Sequence, residues 1–176
     1  MKSNQKTEIW PGNITNPKMP YAPAVKAGKW VFVAGQLASD FKTGVAPEAR
    51  VDPKLPFNEH SLTLQSRYIM DNIEKTLEAA GSSYADAMRI FQWFTGPADW
   101  EQGTSWSGVN ITRYLEERNK YIFEKRPAST GMGIRELLVQ DTIIEVNLIA
   151  IIPGEGETKE AISCPDIPKP PAGHSE

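Results

Sequence analysis

The chain has 176 residues, of which 40% are hydrophobic and 23% are charged, the size and composition of one globular domain with a packed core. Lysine and arginine total 19 against 22 aspartates and glutamates, with no basic run, which argues against nucleic acid as a partner because phosphate neutralisation drives its binding. No apolar stretch reaches the roughly 20 residues that cross a bilayer, and the polar N-terminus lacks a signal-peptide core. We therefore expect no membrane association and a cytoplasmic location.

Cysteine and histidine are scarce. Cys164 is the only cysteine, which excludes an intrachain disulfide, and its place in a proline-rich segment favours an incidental thiol over a catalytic one. A metal site or a Ser-His-Asp triad would have to depend on His60, because His174 is close to the end of the chain. A histidine directly before a helix is more often a cap or a surface residue, so we predict no metal site.

The first half of the chain predicts strands, a long loop and one long helix. Irregular extended chain is expected over the first twenty residues, with a short strand near residues 8–10. The compact apolar run at residues 29–34, closed by a glycine, is typical of a buried strand. Several prolines make residues 40–56 a long loop. Apolar residues at helical spacing predict a helix over residues 61–80, and Gly81 supplies its C-terminal stop.

The second half predicts three more elements of the sheet and a second helix. Residues 88–94 have strand composition, and the apolar spacing over residues 109–125 indicates a helix. Residues 130–138 form a strand weakened by two glycines, and residues 143–152 form a strand that is apolar on both faces. Five prolines follow, so we divide the chain into a domain of residues 1–152 and a C-terminal tail of residues 153–176.

These elements predict an α+β fold with two long helices on one face of a single sheet. The last predicted strand, residues 143–152, is apolar on the other face too, and no further helix is available to cover it. Another copy of the same subunit is the simplest way to cover this second face of the sheet, so we expect a homo-oligomer.

Several short motifs follow one another along residues 20–152. They are PYAPAV at 20–25, VFVAGQ at 31–36, KTG at 42–44, QSR at 65–67, DNI at 71–73, LEAAG at 77–81 and IEVNLIA at 144–150. Together and in this order they resemble the Rid family (reactive intermediate deaminase, also called YjgF-like). The resemblance implies a chorismate-mutase-like sheet of about six strands and a homotrimer with three clefts between subunits.

The resemblance also implies an activity. Members act on small molecules without a cofactor, and the best-known reaction hydrolyses enamines and imines to a carbonyl compound and ammonia. Relatives deaminate aminomuconate-type compounds. Other members carry older labels as ribonucleases or translation inhibitors, which the charge balance of this chain does not favour.

Glu145 matches the family's glutamate, which is expected to position or activate the hydrolytic water. It interrupts an apolar strand, so we expect it to be hydrogen-bonded and its pKa to be raised by burial. The alternative is a structural carboxylate bonded to neighbouring backbone. Tyr21 matches a residue that lines the cleft, and simple packing is its alternative.

Three further positions match the family's cleft. Gly35 offers close backbone approach to a ligand, and Gln36 a side-chain amide donor, although both could equally form the turn that ends the strand. Asn110 resembles the family's asparagine at the start of the second helix.

The family's carboxylate-binding arginine is missing. Ser129 occupies its position, with Gly131 at the small or cysteine position two residues later, and backbone donors near Thr130 and Gly131 are expected to stabilise charge. Arg135 is too far along the strand to replace the arginine, whereas the turn before the strand could redirect Arg126. The spacing here is about one residue longer than the family's, which predicts a β-bulge near residues 131–133.

Two functions of different classes follow. The first is an enzyme that hydrolyses a C=N bond or an enamine with Glu145 handling the water. The second is a trimeric protein that binds a metabolite without converting it, which the loss of the arginine favours. Any tryptophan that reaches the cleft would favour a planar aromatic or muconate-like carboxylate; the candidates are Trp93, Trp100 and Trp106.

Overall fold

The fold is a single six-stranded sheet packed against two helices. The computed structural model describes residues 6–15, 18–54, 59–95, 111–122 and 124–154. The strands are β1 (Thr7–Ile9), β2 (Ala24–Ala27), β3 (Trp30–Leu37), β4 (Ala87–Phe94), β5 (Ala128–Gly133) and β6 (Ile144–Ile151), and the helices are α1 (Ser61–Ala80) and α2 (Thr112–Asn119). The sheet order is β1-β2-β3-β6-β4-β5. This is the predicted α+β fold.

Neighbouring strands in the sheet are antiparallel, except β4 and β5, which are parallel. β5 is therefore an edge strand, reached from β4 through the segment that contains α2. β2 was not among the predicted strands, because its four residues lie between proline and glycine and their apolar character is weak.

The two sides of the sheet differ in what covers them. On the helix-facing side the side chains are buried beneath the helices; this side includes Val31, Val33, Ile90, Val146 and Leu148. Alternate residues of the same strands point to the opposite side, here called the open face. There Trp30, Phe32 and Met132 remain 43%, 44% and 45% exposed in the single chain. In β6 this side carries Ile149 and Ile151 but also Glu145 and Asn147, so the predicted apolar character on both faces holds only for the second half of that strand.

Helix α1 has the bounds that its apolar spacing predicts. Leu62, Ile69 and Leu77 lie on its buried side. At its start, Nδ1 of His60 accepts a 3.0 Å hydrogen bond from the backbone N–H of Leu62, so His60 is the helix cap. At its end, Gly81 adopts a φ of 79°, a left-handed conformation that is unfavourable for residues with a Cβ atom and available to glycine.

Helix α2 is shorter than predicted. It ends at Asn119 rather than at residue 125, while residues 109 and 110 lie outside the described residues. Tyr114 packs its ring edge-on against Phe94 at 5.3 Å, and Glu117 is buried beside it. Ile122 reaches the core from the turn after the helix. Ile122 is therefore buried, as its apolar spacing predicted, but it lies in a turn and not in the helix.

An ion pair with a buried carboxylate, that of Glu117, joins the two helices. Glu117 accepts from Nε of Arg67 on α1 at 2.9 Å and from Nζ of Lys120 at 2.7 Å. Arg67 also bonds Glu59 at 2.7 Å. These carboxylates raise the pKa of Arg67, so the pairs stay charged.

The chain leaves the sheet earlier than predicted after β5. The strand ends at Gly133 and residues 134–138 form a loop, in which Leu138 is 98% exposed. The expected bulge near residues 131–133 is also wrong, because the register between β4 and β5 is continuous to the end of β5. The irregularity lies instead in β3, between Val33 and Gln36.

A buried side chain of α1 positions the start of β6. Gln65 donates from Nε2 to the carbonyl of Asp141 at 3.0 Å and accepts from the N–H of Ile143 at 2.9 Å. It thereby aligns the strand that carries Glu145. Among the residues described, no helix is both long and apolar enough to cross a membrane.

Candidate functional site

Glu145 lies on the open face, at the second residue of β6. Its partner on β4 is Trp93, whose own partner on the edge strand β5 is Met132, so the three side chains share one side of the sheet. Burial raises the pKa of the Glu145 carboxyl above its ordinary value. A raised pKa makes the carboxylate a better proton acceptor.

The expectation that this chain would hydrogen-bond the carboxylate is not met. Across the described ranges no donor bonds the carboxylate of Glu145, and burial is the cause of its pKa shift. The group is half-buried, so it keeps partial access to solvent. A carboxylate held in place but left without a partner can accept a proton from a substrate or a water molecule.

Gly35 on β3 faces that carboxyl group. A Cβ atom on Gly35 would lie 2.9 Å from Cδ of Glu145 and closer still to Oε1. Any larger residue would therefore push the carboxyl group away. The glycine does permit a close approach, as its position suggested, and in this chain the approaching group is the carboxyl of Glu145.

Tyr21 lies within electrostatic reach of the same carboxylate. Burial and the negative charge of Glu145 both raise the pKa of its phenol, which therefore stays protonated at neutral pH. Gln36 makes a local contact instead, since its Nε2 lies 3.5 Å from the carbonyl of Ala34, the limit of a hydrogen bond.

A cavity of about 510 Å³ opens beside Glu145. Trp93 forms one wall, and the loop after β5 forms the other through Ile134, Glu136, Leu137 and Leu138. Phe91 continues the wall, because its ring stacks on Trp93 with centroids 6.1 Å apart. The cavity thus offers a flat aromatic surface next to a carboxylate.

Ser129 and Gly131 lie on the other side of the sheet. Ser129 pairs with Ile90 and Gly131 with Gln92, and both of these β4 residues are buried on the helix-facing side. Thr130 alternates to the open face, where its Oγ1 accepts from Nη2 of Arg89 at 3.2 Å.

Two side chains that the sequence did not single out hold Ser129. Gln92 donates from Nε2 to Oγ of Ser129 at 3.2 Å and to the carbonyl of Thr130 at 3.0 Å. Arg118 of α2 donates from Nη1 to Oγ of Ser129 at 3.3 Å and to Oε1 of Gln92 at 3.4 Å. The guanidinium also lies 5.7 Å from the ring centre of Tyr114.

Both residues leave a signal in the sequence. Gln92 is the polar interruption of an apolar strand, at the spacing of Ile90 and Phe94, which marks a buried amide. Arg118 follows Tyr114 by four positions on α2, which places both on one face of the helix. The spacing of the residues does not show where that face of the helix lies relative to β5.

The predicted residues therefore fall into two groups within one chain. Glu145, Gly35 and Tyr21 surround the open-face carboxylate, whereas Ser129 and Gly131 lie beyond β4 on the opposite side. Arg126 is exposed in the chain leading into β5 and Arg135 in the loop that leaves it. Asn110 lies outside the described residues. In the part of the chain described, no three His, Cys, Asp or Glu residues cluster closely enough to hold a metal ion.

The fold defines the class as a small α+β protein, with a half-buried carboxylate beside a cavity on the open face of its sheet. Residues 13–152 match the family described as endoribonuclease L-PSP. That match covers most of the chain, so the protein belongs to this family, the Rid or YjgF-like proteins.

Individual relatives agree with the assignment. The chain is 28% identical to a RutC family protein of Pyrococcus horikoshii over 145 residues, which are 82% of this chain and 97% of that one. Its fold is similar to RidA of an Antarctic Psychrobacter, with a TM-score of 0.61, 22% identity and coverage of 83% and 99%. It is also similar to a member of the conserved Rid protein family of Yersinia pestis, with a TM-score of 0.61, 17% identity and coverage of 84% and 99%.

Proposed function

We propose that the protein is a cofactor-free hydrolase of a C=N or enamine compound, with Glu145 as general base. The observation that carries the proposal is the carboxylate of Glu145, which burial makes more basic and which the described chain leaves without a donor. A general base must be able to reach the proton that it removes, and this carboxylate borders an open cavity.

In the proposed reaction Glu145 removes a proton from water while the oxygen adds to the imine carbon. The C=N double bond becomes a single bond, its electron pair goes to nitrogen, and Glu145 passes the proton it took from water to that nitrogen, which gives a carbinolamine. Glu145 then removes the hydroxyl proton of the carbinolamine as the C=O bond forms and delivers it to the nitrogen as the C–N bond breaks. Ammonia leaves and the carbonyl compound remains, and an enamine enters the same sequence after tautomerising to the imine.

We propose further that the complete site lies between subunits of a homotrimer. The two groups of site residues lie on opposite sides of one sheet, so two chains placed side by side could contribute one group each. The open face carries exposed Trp30, Phe32 and Met132, and these support association because burying exposed apolar side chains is favourable. Light scattering should report about three times 19.6 kDa, and a stable monomer would contradict both the assembly and the shared site.

Trp93 supports a planar substrate. Its ring lines the cavity beside Glu145 and stacks with Phe91, a surface suited to a conjugated or aromatic carboxylate such as an aminomuconate. Hydrolysis of RNA, which the family description suggests, is not favoured by a chain with net charge −3 and no basic run.

The alternative is a metabolite-binding protein without deaminase activity. Ser129 favours it, because a hydroxyl cannot form the charged bidentate pair that orients an imino carboxylate in the arginine-containing relatives. In that case the same cavity would hold a ligand and Glu145 would serve as a polar contact.

The deciding experiment compares the protein with Glu145→Gln on a panel of imines, from small aliphatic to aminomuconate-type compounds. Ammonia release should fall by roughly 10²- to 10⁴-fold, the usual contribution of a general base. Glu78→Gln on an exposed face of α1 is the matched control and should be as active as the parent. Equal rates for the parent and Glu145→Gln would contradict the enzyme, and binding without turnover would establish the alternative.

A further inference from the structure

Arg118 is a cation without a carboxylate partner. Within the described ranges no carboxylate forms an ion pair with its guanidinium, which contacts neutral groups: the hydroxyl of Ser129, the amide of Gln92 and the ring of Tyr114. By contrast, Arg67 of α1 bonds two carboxylates. A guanidinium has five donors in a planar fork that matches a carboxylate, and the long bonds of 3.3 and 3.4 Å from Nη1 use them poorly.

One donor of the guanidinium itself makes no hydrogen bond. Nε of Arg118 is buried without a partner. The buried hydroxyl of Tyr114 lies against the guanidinium and interacts with it, but forms no well-aligned hydrogen bond. Both groups belong to the same face of α2, directed towards β5. Buried donors are rarely left unpaired, so the guanidinium has hydrogen-bonding capacity to spare for a ligand.

The edge strand leaves room next to this guanidinium. Ser129, Gly131 and Gly133 alternate along the helix-facing side of β5, so this side of the strand carries one hydroxyl and no larger side chain. A Cβ atom on Gly131 would meet only Phe94, at 3.7 Å, and one on Gly133 would meet nothing within 4 Å. All three residues are exposed. The space is open to solvent and to a ligand.

We propose that Arg118 binds the carboxylate of the substrate along the small-residue side of β5. The guanidinium donates two hydrogen bonds to the two carboxylate oxygens, and Oγ of Ser129 donates a further one. The positive charge is thus supplied from helix α2, while the strand supplies only space and a hydroxyl. The proposal rests on the proposed function for the identity of the ligand as a substrate, but the binding site itself can be tested without turnover.

The test uses benzoate as the carboxylate probe and benzamide, a neutral molecule of the same shape, as its control. Calorimetric titration of the full chain should show that benzoate binds at least tenfold more tightly than benzamide. Arg118→Met should weaken benzoate binding by tenfold or more, because charge-assisted hydrogen bonds to a guanidinium are lost. Arg113→Met, on the exposed face of the same helix, should bind benzoate like the parent.

Arg118→Lys keeps the charge and removes the fork, so it should bind benzoate several-fold more weakly than the parent. If thermal melting shows that Arg118→Met is unfolded, Arg118→Lys replaces it as the test variant. Equal benzoate affinities of the parent and a folded Arg118 variant would overturn the proposal, as would a parent that does not prefer benzoate or an equal loss in Arg113→Met.

Failure of the proposed function would look different. Glu145→Gln should retain benzoate binding, because in the proposed site the guanidinium of Arg118 and the hydroxyl of Ser129, and not Glu145, contact the carboxylate. Benzoate binding that depends on Arg118, in a protein that hydrolyses no imine, would keep the anion site and overturn the enzyme. Imine hydrolysis that is insensitive to Arg118→Met would overturn the role of Arg118 in binding the substrate and keep the enzyme.

Discussion

The open face around Glu145 and the side of β5 next to Arg118 are opposite in charge and alike in construction. Each presents one charged side chain that lacks an oppositely charged partner among the described residues, in a setting that reduces its contact with water. On the open face, Gly35 makes the space for the carboxyl group. On the other side, the glycines of β5 leave the space beside the guanidinium.

The difference between the two regions lies in what supports the charged group. Glu145 projects from the middle of a six-stranded sheet, so its backbone is held by hydrogen bonds on both sides. Arg118 projects from a helix of eight residues and reaches its position through Gln92 and Ser129. We infer that the carboxylate is held by the sheet itself, whereas the cation depends on a few side chains.

The largest effect should come from Gly35→Ala. The added methyl group displaces the carboxyl of Glu145, and a misplacement of about 1 Å can cost roughly 10²-fold in rate. Turnover should fall by that order, while the melting temperature changes little because the displaced atoms are the end of a flexible side chain. Gly12→Ala, where the methyl group meets nothing within 4 Å, is the control. Normal turnover in Gly35→Ala would show that the present carboxyl position is unimportant.

The second largest effect should come from removing Gln92, a side chain that positions Arg118 and Ser129. Gln92→Leu removes the amide that bonds Ser129 and the carbonyl of Thr130, and buried groups left without partners cost about 1–3 kcal/mol. We expect the free energy of unfolding in urea to fall by this amount. Gln140→Leu, at an exposed position, should stay within about 0.5 kcal/mol of the parent. An equally stable Gln92→Leu would mean that β5 is held without this amide.

The smallest effect should be the pH dependence that Glu145 adds to stability. Folding raises its pKa above the ordinary value of 4.5, so between these two pKa values the folded protein binds more protons than the unfolded chain. The free energy of unfolding contributed by Glu145 therefore falls as pH rises through that window. Tyr21 does not interfere, because its own pKa is raised above 10.0.

Melting temperatures of the parent and Glu145→Gln, measured from pH 4 to pH 8, would test this sign. The variant should gain on the parent as pH rises, and the gain should be small because solvent screens a half-exposed carboxylate. A parent that gains on the variant with rising pH would mean that the ionised carboxylate is stabilised in the fold, which would contradict its role as a free base.

The sequence by itself determined the elements whose signals are local. The bounds of α1 follow from apolar spacing, a capping residue and Gly81, all of which act within a few residues of the helix. Strands β4 and β6 were predictable from their composition, and Glu145 stood out as a carboxylate in an apolar strand at a position that matches the family. The interactions that cause these features act between residues close together in the chain, so they can be predicted from the sequence.

Tertiary structure alone decided the features that depend on contacts between distant segments. Helix α2 ends at Asn119 because Ile122 reaches the core from a turn, and nothing in the apolar spacing distinguishes that turn from another helical turn. Gly35 faces Glu145 only because β3 and β6 are neighbours in the sheet. Arg118 reaches Ser129 only because of the rotation of α2 against the edge strand, which packing sets and residue spacing does not encode.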